Sequence, residues 1–409
     1  MVARCFLAGL TLLMIPVWGQ VDSVAGAQTV GLELSAGGHE RIDVVVAVDL
    51  PASLLDAPAL HLERIDVQPP RAVAVQKTND DPPRACWIAR GRLPAGVVRR
   101  YRLGAAPEVA DTDGGVVCRD DGKALWFSVR GRKVVRYNHE VVQPPAGIDP
   151  IYARSGYLHP LWSPAGRVIS GDFPPAHKHH HGIWFPWTRT LFEGKETDFW
   201  NSGASLGRIE FVVFDSFRGG PVFGHLEARQ QHLALKTASG PKVVLNERWQ
   251  LRVYALEEVF VFDLISDQRC ASDEPLFLKQ YRYGGLGFRG SIQWEGPHVS
   301  FLTSEGRTRK DGHATRADWC AIYGLVDSQP AGIAVMCHPE NFRAPQPMRI
   351  HPSEPFFNFT PCQLGDFAIE PGKPYVSRYR FVVFDGKVDP ALCRRLWNDY
   401  AHPPVVGVQ

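Results

Sequence analysis

Apolar residues in this chain recur at every second position, and that period dictates sheet rather than helix. In "HERIDVVVAVDL", Ile42, Val44, Val46, Val48 and Leu50 alternate with their neighbours, as side chains of an extended strand point to opposite faces in turn. "LHLERIDVQ" alternates at Leu60 and Leu62 and then shifts phase to Ile65 and Val67, which predicts a bulge or a turn. Proline and glycine punctuate these runs at "QPPRA", "NDDPPRA" and "RLPAG". Farther on, "RIEFVVFDSF", "KVVLNERWQLRVY", "VFVFDLISD" and "SRYRFVVFDG" read as longer strands. One helix is written near the C-terminus: Asp389 can cap it, Pro390 suits its first position, and Leu392 and Leu396 fall four apart. The expected fold class is all-β. A small N-terminal β-sandwich domain occupies 28–116, a large β domain 117–386, and a C-terminal helix and tail 387–409, with "DTDGG" as the linker between the β domains.

One strand carries a further expectation. In "VVLNERWQLRV", Leu245, Trp249, Leu251 and Val253 share a face with Glu247, and Asn246, Arg248, Gln250 and Arg252 share the other. Four hydrogen-bonding side chains in register suit a polar cleft, and equally an ordinary solvated face.

Charge excludes two classes of partner. With 45 basic and 43 acidic residues the formal net charge is +2, so neither nucleic acid nor an anionic membrane surface is called for. The N-terminus reads as an export leader over 1–27: Arg4 precedes a short apolar run, and "AGA" supplies the small residues of a cleavage site after Ala27. The protein is therefore expected to be exported, periplasmic or extracellular. No later stretch reaches the roughly 18 uninterrupted apolar residues of a membrane span. The chain has 8 cysteines. Cys5 belongs to the leader, and the others are scattered without a C-x-x-C pair, so no zinc ribbon or dithiol redox motif is written. Their odd number leaves at least one free and allows a disulfide.

The densest chemistry lies in "HKHHHGIWFPW", where His177, His179, His180 and His181 run into Trp184 and Trp187. An extended segment would put His177, His179 and His181 on one face, at about 6.5–7 Å per two-residue step. That spacing suits a metal-ligand pair, but no third ligand stands nearby in sequence; Asp198, His159 or His338 would have to supply it. Imidazoles of ordinary pKa near 6.5 serve equally as general acids or bases, and a solvated cluster is the plain alternative. Trp184, Trp187 and Trp200 add indole faces that match the C–H face of a sugar ring, though tryptophans also build cores. Pro186 argues against a central strand and so puts the cluster at a strand end or rim.

The stretch "SGYLHPLWSPAGRVISGDFPPAHKHHHGIWFPW" resembles the signature of the PmoA-like family of unknown function, common among exported bacterial proteins of planctomycete type. The matching positions are His159, Pro160, Asp172, Pro174, His177, His179, His180 and Gly182, with "TDFW", "GGLGFR", "ADWC", "GIAVMCHPENFRAP" and "YRFVVFDG". Two positions depart from the pattern: Lys178 stands where proline is usual and His181 where arginine is usual. The family's name points to a methane monooxygenase subunit that spans the membrane, which this chain does not match. The resemblance implies a β-supersandwich similar to galactose mutarotase, with histidines and a carboxylate in a cleft on a sheet face.

These readings converge on an exported carbohydrate-active enzyme that moves protons at a sugar ring carbon or a glycosidic oxygen, of epimerase, lyase or hydrolase type. A non-catalytic sugar-binding protein and a metal-dependent enzyme are the alternatives. His179 and His180 are the expected acid and base. His159, His177, Trp184, Arg282, Arg289, His338 and Asn341 are the expected substrate-binding residues, with Arg289 suited to grip a carboxylate in two places. No cofactor and no metal are expected; the partner is a carbohydrate or other small molecule.

Overall fold

The computed structural model describes residues 29–108 and 115–409. The expected leader over 1–27 and most of the expected linker "DTDGG" lie outside them. The fold is all-β with a short C-terminal helix. Two sheets make the N-terminal body. One is five-stranded, in the order Val405–Val408, Thr29–Ser35, Val98–Ala106, Ala59–Arg64 and Arg71–Val73; the other pairs Arg41–Asp49 with Arg84–Leu93 and Val75–Lys77. Leu32, Leu34, Val44, Val46, Trp87, Tyr101 and Leu103 fill the space between them. The alternation through Val44, Val46 and Val48 holds, but Asp43 takes φ 50° and the register slips between Ile42 and Val44. This bulge turns Ile42 out of phase with the valines. The phase shift expected after Leu62 falls where the strand ends, at Arg64, and the chain bends over 66–69.

The main body packs two eight-stranded sheets around one core. The sheet that carries the histidine cluster runs Met348–Ile350, Phe356–Phe359, Gly287–Arg289, Ile183–Trp184, Tyr157–Leu161, Arg132–Asn138, Ala124–Val129 and Val116–Asp120. The facing sheet has longer strands, in the order Gly207–Arg218, Phe223–Thr237, Gly240–Tyr254, Phe260–Cys270, Tyr375–Asp385, Gln329–Cys337, Trp319–Val326 and Val299–Thr303. Leu158, Ile183, Phe288 and Phe357 from the first sheet meet Leu226, Leu251, Leu264 and Phe381 from the second in one apolar cluster.

Within that core Glu247 is fully buried and satisfied. It takes His232 Nε2 at 2.8 Å, Trp249 Nε1 at 2.7 Å, Ser266 Oγ at 2.6 Å and Gln268 Nε2 at 3.0 Å. A carboxylate this deep is tolerable only with such a set of donors. The outer face of the same strand carries Asn246, Arg248, Gln250 and Arg252, as the alternation predicts. Part of that face forms a groove of about 440 Å³ with Arg229, Gln231, Asp267 and Arg269.

The two bodies are tied together. Gln76 Oε1 accepts from the Val222 and Phe223 backbone N–H groups, both at 3.1 Å. Arg41 pairs with Asp399 at 2.8 Å in a buried contact. The helix Pro390–Ala401 is capped by Asp389, whose Oδ1 accepts from Ala391 and Leu392 at 2.9 and 3.2 Å. After it the chain returns as Val405–Val408 to pair with Thr29–Ser35. Among the described residues all seven cysteines, Cys86, Cys118, Cys270, Cys320, Cys337, Cys362 and Cys393, are free thiols. The possible disulfide is absent there; burial pushes Cys86, Cys362 and Cys393 up to about 12, so they behave as small apolar residues. No helix of the described residues is long and apolar enough to cross a membrane.

Candidate functional site

Strand register builds the site. With Leu158, Ile183, Phe288 and Phe357 turned into the core, the two-residue period turns Tyr157, His159, Trp184, Arg289, Phe356 and Arg349 to the opposite face. Two glycines make the close approach possible. A Cβ on Gly182 would lie 2.2 Å from the Leu158 carbonyl oxygen, and one on Gly287 would press against the Trp184 ring at 3.1 Å. Tyr157, Trp184, Trp200 and Phe356 form a second, smaller apolar cluster on this face, with Tyr283 packed against it. Trp184 and Trp200 have ring centroids 5.1 Å apart, and Trp200 and Tyr283 5.0 Å.

The histidine segment is not extended. The Phe173 N–H donates to the His180 carbonyl, and the His180 N–H donates to the His177 carbonyl at 2.8 Å. This turn brings residues three apart together: His177 and His180 stack at 4.8 Å with planes 13° from parallel. His179 stands edge-on to His180 at 4.9 Å and to His177 at 5.8 Å. His181, expected beside His177 and His179, turns away instead. Its Nδ1 meets Asp172 Oδ1 at 2.6 Å, and Asp172 Oδ2 accepts from the Tyr157 hydroxyl at 2.7 Å. His159 lies near this group, with its Nδ1 2.9 Å from Ser170 Oγ.

Burial separates the two histidines expected to move protons. His180 is 3 % exposed, packed against Phe356 at 4.7 Å and Trp184 at 5.3 Å. It is a wall of the site with no open side toward a ligand. His179 remains partly open. Burial, with the charges of His177 and His181, lowers His179 to about 3, and burial lowers His180 well below the ordinary imidazole value. Both are neutral imidazoles near pH 7, able to accept a proton or a hydrogen bond.

A chain segment distant in sequence completes the cluster. Glu354 Oε1 lies 2.8 Å from His177 Nδ1, and Glu354 Oε2 accepts from Arg289. Burial alone would raise the Glu354 carboxyl, but His177 and Arg289 outweigh it and hold it at about 2. Arg289 also pairs with Glu295 through its other terminal nitrogen and is 1 % exposed. The carboxylate grip expected of Arg289 is thus spent inside the protein, and its guanidinium has no face left for a ligand. His177, His351 and Glu354 offer ligand atoms within 4.8 Å of one another, the one such trio among the described residues. These atoms are largely committed. Glu354 serves His177 and Arg289, and His351 Nδ1 accepts from the Glu354 N–H at 3.1 Å, leaving the proton of a neutral ring on Nε2. The donor set does not favour a tightly held cation.

His338 and Asn341 lie in the loop that follows the strand Gln329–Cys337 of the facing sheet and are not brought to this cluster. Asn341 is buried and spends its amide on the Arg378 backbone, donating to its carbonyl and accepting from its N–H, both at 2.7 Å. His338 packs on Tyr400 of the C-terminal helix at 4.9 Å. The structure does bring His159, His177, His179, His180, Trp184 and Arg289 to one region, and Arg282 to its rim. His351, Glu354, Glu295 and the aromatic roof Trp200–Tyr283 join them from elsewhere in the chain. Of these only Trp200 carried a local signal, in "TDFW". The 440 Å³ groove on the facing sheet has no imidazole or aromatic ring among its lining residues.

No curated protein matches the chain. Two solved structures from Enterococcus faecalis follow a similar path over 93 % of it. One is described as a protein in the glycosyl hydrolase family 38, at 9 % identity and TM-score 0.45, with 47 % of that chain covered. The other is described as an alpha-mannosidase, at 8 % identity and TM-score 0.47, with 46 % covered. The chain spans about half the length of either, and at this level the likeness carries no functional argument. Residues 124–398, which hold both large sheets almost entirely and every residue of the cluster, match the model of the "Family of unknown function (DUF6807)", and the chain belongs to that family.

Proposed function

We propose that this protein is an exported carbohydrate-active enzyme whose histidine cluster moves a proton at a sugar ring carbon or a glycosidic oxygen. The observation that carries the reading is the position of His179. It is a partly open, neutral imidazole beside His177 and His180, and His180 in turn packs on the aromatic layer of Trp184, Trp200 and Phe356. A sugar lying against Tyr283, which packs on the buried Trp200, would present C–H groups to the ring and its hydroxyls or ring carbon to the imidazole edge. His177, oriented by Glu354, is the second candidate for the proton path. The export leader expected over 1–27 from Arg4, the short apolar run and "AGA" supports export. A binding protein without turnover is the competing reading, favoured by the low value of about 3 for His179, which suits hydrogen bonding better than protonation.

The test is turnover. The purified protein is incubated with plant and algal oligosaccharides, including 3-keto derivatives, alongside His179→Gln. Loss of about 10²–10⁴-fold in rate with a smaller change in affinity supports proton transfer. An unchanged rate in the variant ends the catalytic claim; binding without turnover in the unmodified protein selects the binding reading.

A further inference from the structure

Among the described residues, two arginines at the rim of the site form no ion pair. Arg349 lies on the strand Met348–Ile350, opposite Asn358 and on the same face as Arg289 and Phe356. Its Nη1 is 3.5 Å from His313 Nε2, a contact between two groups that carry positive or no charge. Arg282 sits in the loop between Lys279 and Leu286, its guanidinium carbon 5.8 Å from the rings of both Tyr281 and Tyr283. Asn358 holds that loop in place, accepting from the Gly284 N–H at 2.9 Å and donating to the Leu286 carbonyl at 2.6 Å. Gly284 and Gly285 adopt φ 134° and 104°, which other residues rarely reach.

The carboxylates in reach are all used. Glu354 and Glu295 are taken by Arg289. Asp198 accepts from the Trp200 and Asn201 N–H groups at 2.8 and 3.0 Å and from Thr188. Among the described residues neither Arg282 nor Arg349 forms an ion pair, whereas Arg289, far deeper, has two. Arg349 also lies close enough to Arg282, and deep enough, for its guanidinium to be lowered by burial and by that neighbour's charge. Like charges gathered beside an aromatic shelf are unfavourable unless an anion joins them.

We infer that Arg282 and Arg349 form a recognition site for the carboxylate of an acidic sugar, which lies on the shelf of the partly exposed Tyr281 and Tyr283 with its ring turned toward His177 and His179. The guanidinium fork matches a carboxylate in geometry, and the shelf supplies the ring contact. The inference rests on the sugar reading above and narrows it to uronate-type ligands.

Tryptophan fluorescence, reporting Trp200 against Tyr283, is titrated with glucuronate, its methyl ester and glucose. Glucuronate is expected to bind at least about 10-fold more tightly than the ester or glucose, with an affinity that falls as salt rises. Arg349→Met and Arg282→Met should each remove about 10-fold of that preference and leave the weak ester binding as it was. Because Arg282 is exposed, its variant keeps the test valid if Arg349→Met melts early. Equal binding of acid and ester, or equal losses for both in the Arg282 variant, overturns the inference and leaves the sugar reading standing. Failure of all three ligands to bind overturns both.

Discussion

His177 and His180 lie ring on ring, 4.8 Å apart and 13° from parallel, because the chain turns between them. That stack divides the cluster into a buried support and an open edge. His180 fills a pocket among Phe356, Trp184 and Trp200, so its loss is first a packing loss. His180→Ala should cost about 2–4 kcal/mol of stability, in the range of large-to-small core changes. His179→Gln should stay within about 1–2 kcal/mol of the unmodified protein. Urea titrations of both variants check this; equal stability of the two would show that His180 is not the wall described above.

The strands were legible because a two-residue period is a local property of sequence. The site was only half legible, for the same reason. His177, His179, His180 and Trp184 are neighbours along the chain, but Glu354 and His351 reach them through the pairing of Phe356–Phe359 with Gly287–Arg289, and no local pattern encodes that register. Arg289 was expected to hold a ligand's carboxylate; it holds Glu354 and Glu295 instead, a difference set entirely by what tertiary packing brings to it. His181 was expected in line with His177 because extended geometry was assumed. The turn closed by the His180 N–H breaks that line.

Metal content is the second prediction. His177, His351 and Glu354 stand close together, but a cation there would compete with Arg289 for Glu354 and with a backbone N–H for His351. Protein purified without a His-tag should contain less than one equivalent of tightly held transition metal. Elemental analysis returning a full equivalent, lost in Glu354→Gln, would overturn this.

The third prediction concerns acid. Burial lowers His159 to about 4, and burial with the charges of Arg218 and Arg252 lowers His225 to about 4. A histidine whose folded pKa lies below its unfolded value of about 6.5 binds protons more readily when unfolded. Stability is therefore complete above about pH 6.5 and declines as pH falls toward 4. The buried His225 and the partly buried His159 each contribute at most about 3–4 kcal/mol to this loss, from 1.36 kcal/mol per pKa unit. Urea titrations at pH 7.5, 6 and 5 should give falling stability, and His159→Asn should flatten the slope. A flat profile in the unmodified protein would contradict the burial of these rings.

Gly182 offers the sharpest test of how the site is built. It follows the four histidines and precedes the strand Ile183–Trp184, and its N–Cα–C backbone runs directly against the Leu158 carbonyl. A methyl group there would begin 2.2 Å from that oxygen, 3.0 Å from His159 Cβ and 3.2 Å from the Leu158 carbonyl carbon. Two of these three are backbone atoms of a paired strand, which cannot rotate aside as a side chain can. Gly182→Ala must therefore push Tyr157–Leu161 away from Ile183–Trp184, moving His159 and Trp184 with their strands. The expected loss is more than about 2 kcal/mol, the range of overpacking in a close-packed interior. Gly38→Ala, where nothing lies within 4 Å, is the control and should stay within about 0.5 kcal/mol. Tryptophan emission should shift in the first variant, because Trp184 and Trp200 lose their shared packing, and stay unchanged in the second. If Gly182→Ala folds with unaltered stability and emission, the histidine segment does not enter the sheet at Gly182, and the placement of the whole cluster on this face falls with it.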